Sequence, residues 1–152
     1  MLKQICCFTV MMFGLLVGAS VSSAADQGVA VSVLYTDSAK DVTHFRTDML
    51  EWSGDPSSAG ASVPATTTTK LFPATQIGYV RIPTGYHADW HPAPRKQYVM
   101  VLRGKMEVEA GDGEKREFTP GSVLLVTDVS GRGHKTNALG DEDVFLVWVP
   151  IP

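Results

Sequence analysis

Five side chains in the second half of the chain are of types that bind metal ions or move protons: His87, Asp89, His91, Gln97 and His134. Along an extended strand alternate residues face one side, so His87, Asp89 and His91 of "HADWH" are expected to share a face. In "QYVMVLR", Gln97 shares its face with Val99 and Val101, whose apolar character suits an interior; in "HKTNA", His134 shares its face with Thr136. Polar groups turned toward an interior must be hydrogen-bonded or must bind something. Neutral imidazoles from two strands facing one cavity suit a divalent transition metal such as Fe, Mn, Zn, Ni or Cu. The plainer alternative has the two histidines bonded to one another or to the backbone. Asp89 either completes a two-histidine, one-carboxylate set or accepts a hydrogen bond that fixes the His91 tautomer. Gln97 either ligates through its amide oxygen or orients a water. His87 is either a further ligand or an exposed residue at the strand entrance.

Other candidates carry less. Arg81, Arg95 and Lys96 can meet an anionic substrate, although Arg95 and Lys96 lie in a turn where solvated charge is the default. Trp52, Trp90 and Trp148 suit packing better than ligand platforms. His44 in "THFRTD" is a weak candidate general base. Tyr79 and Tyr86 can bring a phenol to a cavity, whereas parity turns Tyr98 away from the Gln97 side. No residue is assigned a catalytic role.

The elements that must position these groups are short and β-branched. Candidate strands are 29–35, 42–50, 66–72, 75–82, 97–103, 105–110, 115–118, 122–128, 134–138 and 144–150. Gly- and Pro-containing turns such as "PAPRK", "AGDGE", "TPGS" and "VSGRG" separate them, and no window shows a helical period. The expected fold is all-β, a sandwich or small barrel. The low-complexity "SGDPSSAGASVPA" (53–65) is expected to be a surface loop.

At the N-terminus, Lys3 precedes the apolar run "ICCFTVMMFGLLVGASV", and "SVSSAAD" supplies small residues where a signal peptidase cuts. That is the layout of a signal peptide removed after Ala24 or Ala25, so the expectation is export, to the periplasm or outside, with no membrane association of the mature chain. The organisation expected is a signal peptide over 1–25, N-terminal strands and loop over 26–65, and a barrel over 66–152. Cys6 and Cys7 leave with the first segment, so the mature domain has no thiol for disulfide, ligand or nucleophile. Without Lys3 the mature chain has 12 basic and 16 acidic residues, a net charge of about −4, and no basic patch; nucleic acid is not an expected partner. About 127 mature residues suffice for one domain with one core.

Several stretches together resemble the cupin superfamily, small barrels of the jelly-roll or double-stranded β-helix type, and within it the small stand-alone cupin_2-like proteins. That family's first motif is Gly, five residues, His-x-His, three or four residues, Glu, six residues, Gly. Here Gln97, "YVMVLR" and Gly104 reproduce its last part; "LRGK" and "PGSVLLV" match the hairpin and turn that follow, and "GRGHKTN" puts His134 at the histidine of the second motif. The resemblance spans residues 71–150. Departures are Asp89-Trp90-His91 for His-x-His, five residues rather than three or four before Gln97, Gln for Glu, and Asn137 three rather than four residues after His134. His87, one pleat back, can stand in for the missing histidine. The resemblance implies a metal held among His91, His134, Gln97, Asp89 and His87, a small-molecule ligand or substrate, and a homodimer. Two classes of function follow: an oxygenase or a lyase or isomerase, or a non-catalytic ligand-binding or sensing barrel with a degenerate metal site.

Overall fold

A computed structural model describes residues 28–52, 69, 71–74 and 76–152. The signal-peptide stretch, the low-complexity loop and most of the threonine run lie outside them. Ten strands are present: β1 (Gly28–Asp37), β2 (Val42–Glu51), β3 (Gly78–Ile82), β4 (His87–His91), β5 (Gln97–Arg103), β6 (Lys105–Glu109), β7 (Lys115–Phe118), β8 (Val123–Val126), β9 (His134–Leu139) and β10 (Val144–Pro150). No helix occurs among the described residues. The fold is all-β, as expected.

Two sheets face one another. The larger runs β2-β1-β8-β5-β10-β3 and the smaller β4-β9-β6-β7. β1 joins by parallel pairing with β8, Leu34 opposite Val126, while every other pairing is antiparallel. Alternation of side chains decides what lies between the sheets. Val99 and Val101 of β5, Met106 and Val108 of β6, Leu124 and Val126 of β8, and Val144 and Leu146 of β10 form one buried cluster with Leu34, Phe45 and Phe118. Truncating Leu124 or Leu146 to Ala costs about 2–5 kcal/mol on the scale of buried leucines.

Two expectations about elements change. The threonine-rich 66–72 stretch is not a strand where it is described: Thr69, Leu71 and Phe72 lie outside any strand, and β3 begins only at Gly78. Phe72 instead packs its ring on Tyr98, centroids 5.6 Å apart. Conversely, His87–His91 is a full strand of the smaller sheet, pairing with β9. Between β5 and β6, Gly104 takes φ 76°, and a Cβ there would lie 2.6 Å from the Asp143 carbonyl oxygen, so the turn requires glycine.

Candidate functional site

The site grows out of one irregularity in β4. Ala88 pairs with Thr136 and His91 with His134, so three steps along β4 match two along β9. The extra residue is a β-bulge, and it resets the alternation. Asp89 and Trp90 both lie against the outward Lys135: the ammonium is 3.7 Å from Asp89 Oδ1 and 4.9 Å from the Trp90 ring centre. Arg132 caps that ring at 3.8 Å. His91 therefore turns inward, while Asp89 stays on the surface with its side chain 79% exposed. The Trp90 amide, aided by Lys135, holds the Asp89 carboxyl below the usual carboxylate range. The expectation that His87, Asp89 and His91 share a face is thus corrected: an unbroken period of two was assumed, and the bulge breaks it.

His87 is on the outside as well. Its Nδ1 bonds Asn137 Oδ1, and Asn137 Nδ2 donates to Glu107 Oε1 at 3.1 Å. Asn137 thus faces away from His134, as its three-residue offset requires.

Inside the barrel three of the expected residues meet. His91 and His134 are cross-strand partners with ring centres 4.6 Å apart and planes inclined by 51°. Gln97, 4% exposed, opens β5 and lines the same cavity, with Thr136 and Tyr86 as the other polar neighbours. The cavity measures about 130 Å³.

Each imidazole is held from behind. His91 Nδ1–H donates to the Asp89 main-chain carbonyl at 2.7 Å, so Asp89 serves the site through its backbone rather than its carboxylate. His134 Nδ1–H donates to Asp128 Oδ2 at 2.7 Å. Both bonds consume the Nδ1 hydrogen and leave Nε2, on the other side of each ring, as the acceptor nitrogen. Asp128 is wholly buried, its other carboxylate oxygen has no hydrogen-bond partner, and His134 is its one ion-pair partner among the described residues.

The neighbouring loops fix these positions. The Asp128 carbonyl accepts from the Ala93 amide at 3.0 Å, tying the Pro-rich turn after His91 to the loop before His134. Gly133, at φ 77°, packs so tightly on the end of β4 that a Cβ would lie 2.0 Å from the His91 carbonyl oxygen. Thr43 Oγ1 donates to the Gly133 carbonyl at 2.7 Å, and Leu34 accepts both the amide and the hydroxyl of Thr127. The N-terminal strands thereby brace the loop that carries Asp128.

Sequence reading missed Asp128, which sits in "VTDVSG" and reads as an ordinary turn aspartate; its one signal is its place six residues before His134. Of the cations considered, Arg81 is exposed and paired with Asp143 at 2.6 Å. Arg95 lines a separate depression on the far side of Gln97 and Trp148. His44 is away from the cavity, bonded to Asp112 at 2.6 Å.

No group of three or more His, Cys, Asp or Glu side chains able to hold a metal ion occurs among the described residues. The donors that converge are two imidazoles and one amide, a neutral set. Such a set suits borderline ions such as Zn, Cu or Ni better than hard, carboxylate-seeking ones.

The family model described as "Cupin domain" matches residues 78–150. Those residues form a cupin domain. Among solved structures, a cupin-like protein from Thermotoga maritima is 24% identical with a TM-score of 0.43, the match covering 50% of this chain and 56% of that one. A cupin-2 domain protein from Shewanella frigidimarina is 18% identical, covering 51% and 70%, with a TM-score of 0.40. A protein from Silicibacter pomeroyi described as a sugar phosphate isomerase of the cupin superfamily is 20% identical, covering 50% of each chain, with a TM-score of 0.40. This chain thus spans little more than half the length of the Thermotoga protein. No curated protein matches the sequence. The cupin barrel accounts for β3 to β10; β1 and β2 extend its larger sheet.

Proposed function

We propose that this cupin barrel binds a divalent transition metal between His91, His134 and Gln97 and presents it to a small molecule in the cavity. The observation that carries the reading is the buried Asp128–His134 couple. A carboxylate fully removed from water, with one oxygen unpartnered, calls for positive charge nearby. A cation at Nε2 of His134 supplies it across the ring, and a carboxylate behind a ligating histidine is a recurrent way of fixing tautomer and orientation. A bound ion contributes Lewis acidity toward a carbonyl or carboxylate, or a centre for oxygen chemistry. The chain's own part is positional: Asp128 and the Asp89 carbonyl fix the two rings, and Gln97 offers an amide that can accept or donate.

Oxygenase chemistry and lyase or isomerase chemistry both accord with such a centre. A second reading, a binding or sensing barrel without turnover, is favoured by the outward turn of Asp89, which leaves the cavity with no carboxylate among its lining residues. We place the mature protein outside the cytoplasm on the strength of residues 1–25, and pair two copies on the strength of the family resemblance. Elemental analysis of untagged, exported protein beside His91→Ala and His134→Ala tests the metal. Near-stoichiometric Mn, Fe, Ni, Cu or Zn that is lost in both variants supports it. Folded protein that takes up no ion after incubation with each overturns it and leaves the second reading.

A further inference from the structure

Along the barrel the cavity changes character from one end to the other. Gln97 pairs with Val126, and one pleat further in Val99 pairs with Leu124. Likewise Thr136 follows His134 on β9, and Met106 lies beyond it, paired with Ala138. Gln97, His91 and His134 thus gather at one end with Thr136 beside them, and Leu124, Met106 and Leu146 line the other. There Tyr86, whose carbonyl accepts from the Ala138 amide, adds one phenol at the edge. No Lys, Arg, Asp or Glu is among the lining residues. Arg95 lines a separate depression that shares Gln97 and Trp148 with the cavity.

Size sets a second limit. A cavity of roughly 150 Å³ lined by apolar side chains holds benzene, and this one measures about 130 Å³. The part of an occupant that the cavity encloses therefore has on the order of six non-hydrogen atoms. A sugar phosphate cannot be enclosed whole, and a phosphate placed inside would have no protein counter-charge. A polyol of the right size would set several hydroxyls against Leu124, Met106 and Leu146, where Tyr86 offers a single phenol, and the rest would go unbonded.

We infer that the molecule accepted by the barrel is a compact one with an apolar body and a single polar head, the head meeting His91, His134 and Gln97 and the body filling the space toward Leu124 and Met106. This rests on the cavity being the functional site, as proposed above, and not on the identity of the metal.

Three probes offered to the full mature chain test it by calorimetry: isobutyramide, erythritol and glucose 6-phosphate. Isobutyramide has an isopropyl body and one amide head; erythritol is of similar size but hydroxylated along its length. Isobutyramide is expected to bind at least about tenfold more tightly than erythritol, the discrimination an apolar pocket makes for a single buried group, with no binding of glucose 6-phosphate. Leu124→Phe, which fills the apolar end, is expected to abolish isobutyramide binding. Should that variant not fold, octanamide replaces it as the control, since its long chain exceeds the cavity and is expected not to bind. Erythritol or glucose 6-phosphate binding as well as isobutyramide, octanamide binding as well as isobutyramide, or no probe binding at all, overturns the inference. Metal content measured on the same samples separates the two claims. Metal-free protein that still prefers isobutyramide sinks only the proposed metal, whereas metal-loaded protein that prefers erythritol sinks only the inference.

Discussion

Asp128 is the residue that tests the proposed metal site most directly, because its charge and its hydrogen bond can be separated. In Asp128→Asn the amide oxygen still accepts from His134 Nδ1, so the ring keeps its place while the negative charge is lost. Metal affinity measured by chelator competition is expected to fall about 10–100-fold, the usual effect of losing such a partner, with the fold intact by circular dichroism. Asp128→Ala leaves the Nδ1 hydrogen buried and unbonded and is expected to lower stability as well, by about 1–3 kcal/mol in denaturant unfolding. Equal metal affinity in Asp128→Asn and the parent would show that the charge plays no part. Gln97→Glu is the converse experiment. It places a second carboxylate in a site that is 4% exposed, so the melting temperature is expected to drop in chelator and to recover when a divalent ion is added. No recovery would mean that position 97 does not face the ion.

At the scale of elements, the β4 bulge and the Gly133 contact decide which side chains reach the interior. Asp89→Ala and His87→Ala are expected to leave metal content unchanged, since both side chains are outside and the Asp89 carbonyl that holds His91 is backbone. Loss of metal in either would contradict the outward assignment. Gly133→Ala sets a methyl against the His91 carbonyl in a left-handed backbone conformation; a loss of about 2 kcal/mol or more is expected in denaturant unfolding, together with loss of metal. Most strands were legible because β-branched residues alternate in them: Val99, Val101, Val108, Val126 and Val144 lie where that pattern puts them. What was illegible has local causes. The threonine run has high strand propensity, yet Leu71 and Phe72 at its end lie outside any strand, and propensity says nothing about which segments pair. β4 contains no β-branched residue, and a bulge inserts one residue without altering composition, so neither the strand nor its change of face could be read from "HADWH". Asp128 acts on His134 across a loop whose course is set by bonds to the distant Thr43, Leu34 and Ala93.

For the whole molecule, the expected response to acid is tied to carboxylates that join distant strands. The Thr84 amide and the Arg81 guanidinium hold Asp143 below the usual carboxylate range, linking the entry of β10 to β3 and the turn after it. Although burial works against it, Asp112 is also held low by the Glu114 amide and by His44 on β2. A carboxylate whose pKa is depressed on folding adds stability above its unfolded value, near 3.9, and loses it as the pH falls through the folded one. Stability measured by urea unfolding is therefore expected to be flat toward neutral pH and to fall below about pH 4, with a shallower fall in Asp143→Asn. An equally steep fall in that variant would assign the acid sensitivity elsewhere. The parallel pairing of β1 with β8 acts in time as well as in space. Thr127 bonds the carbonyl of Leu34 across 93 residues, so the ladder that joins β1 to the barrel needs β8 in place. Contacts so far apart in sequence are slow to form. The larger sheet is therefore a closure of distant chain segments, and its assembly waits on the slower of the two to arrive.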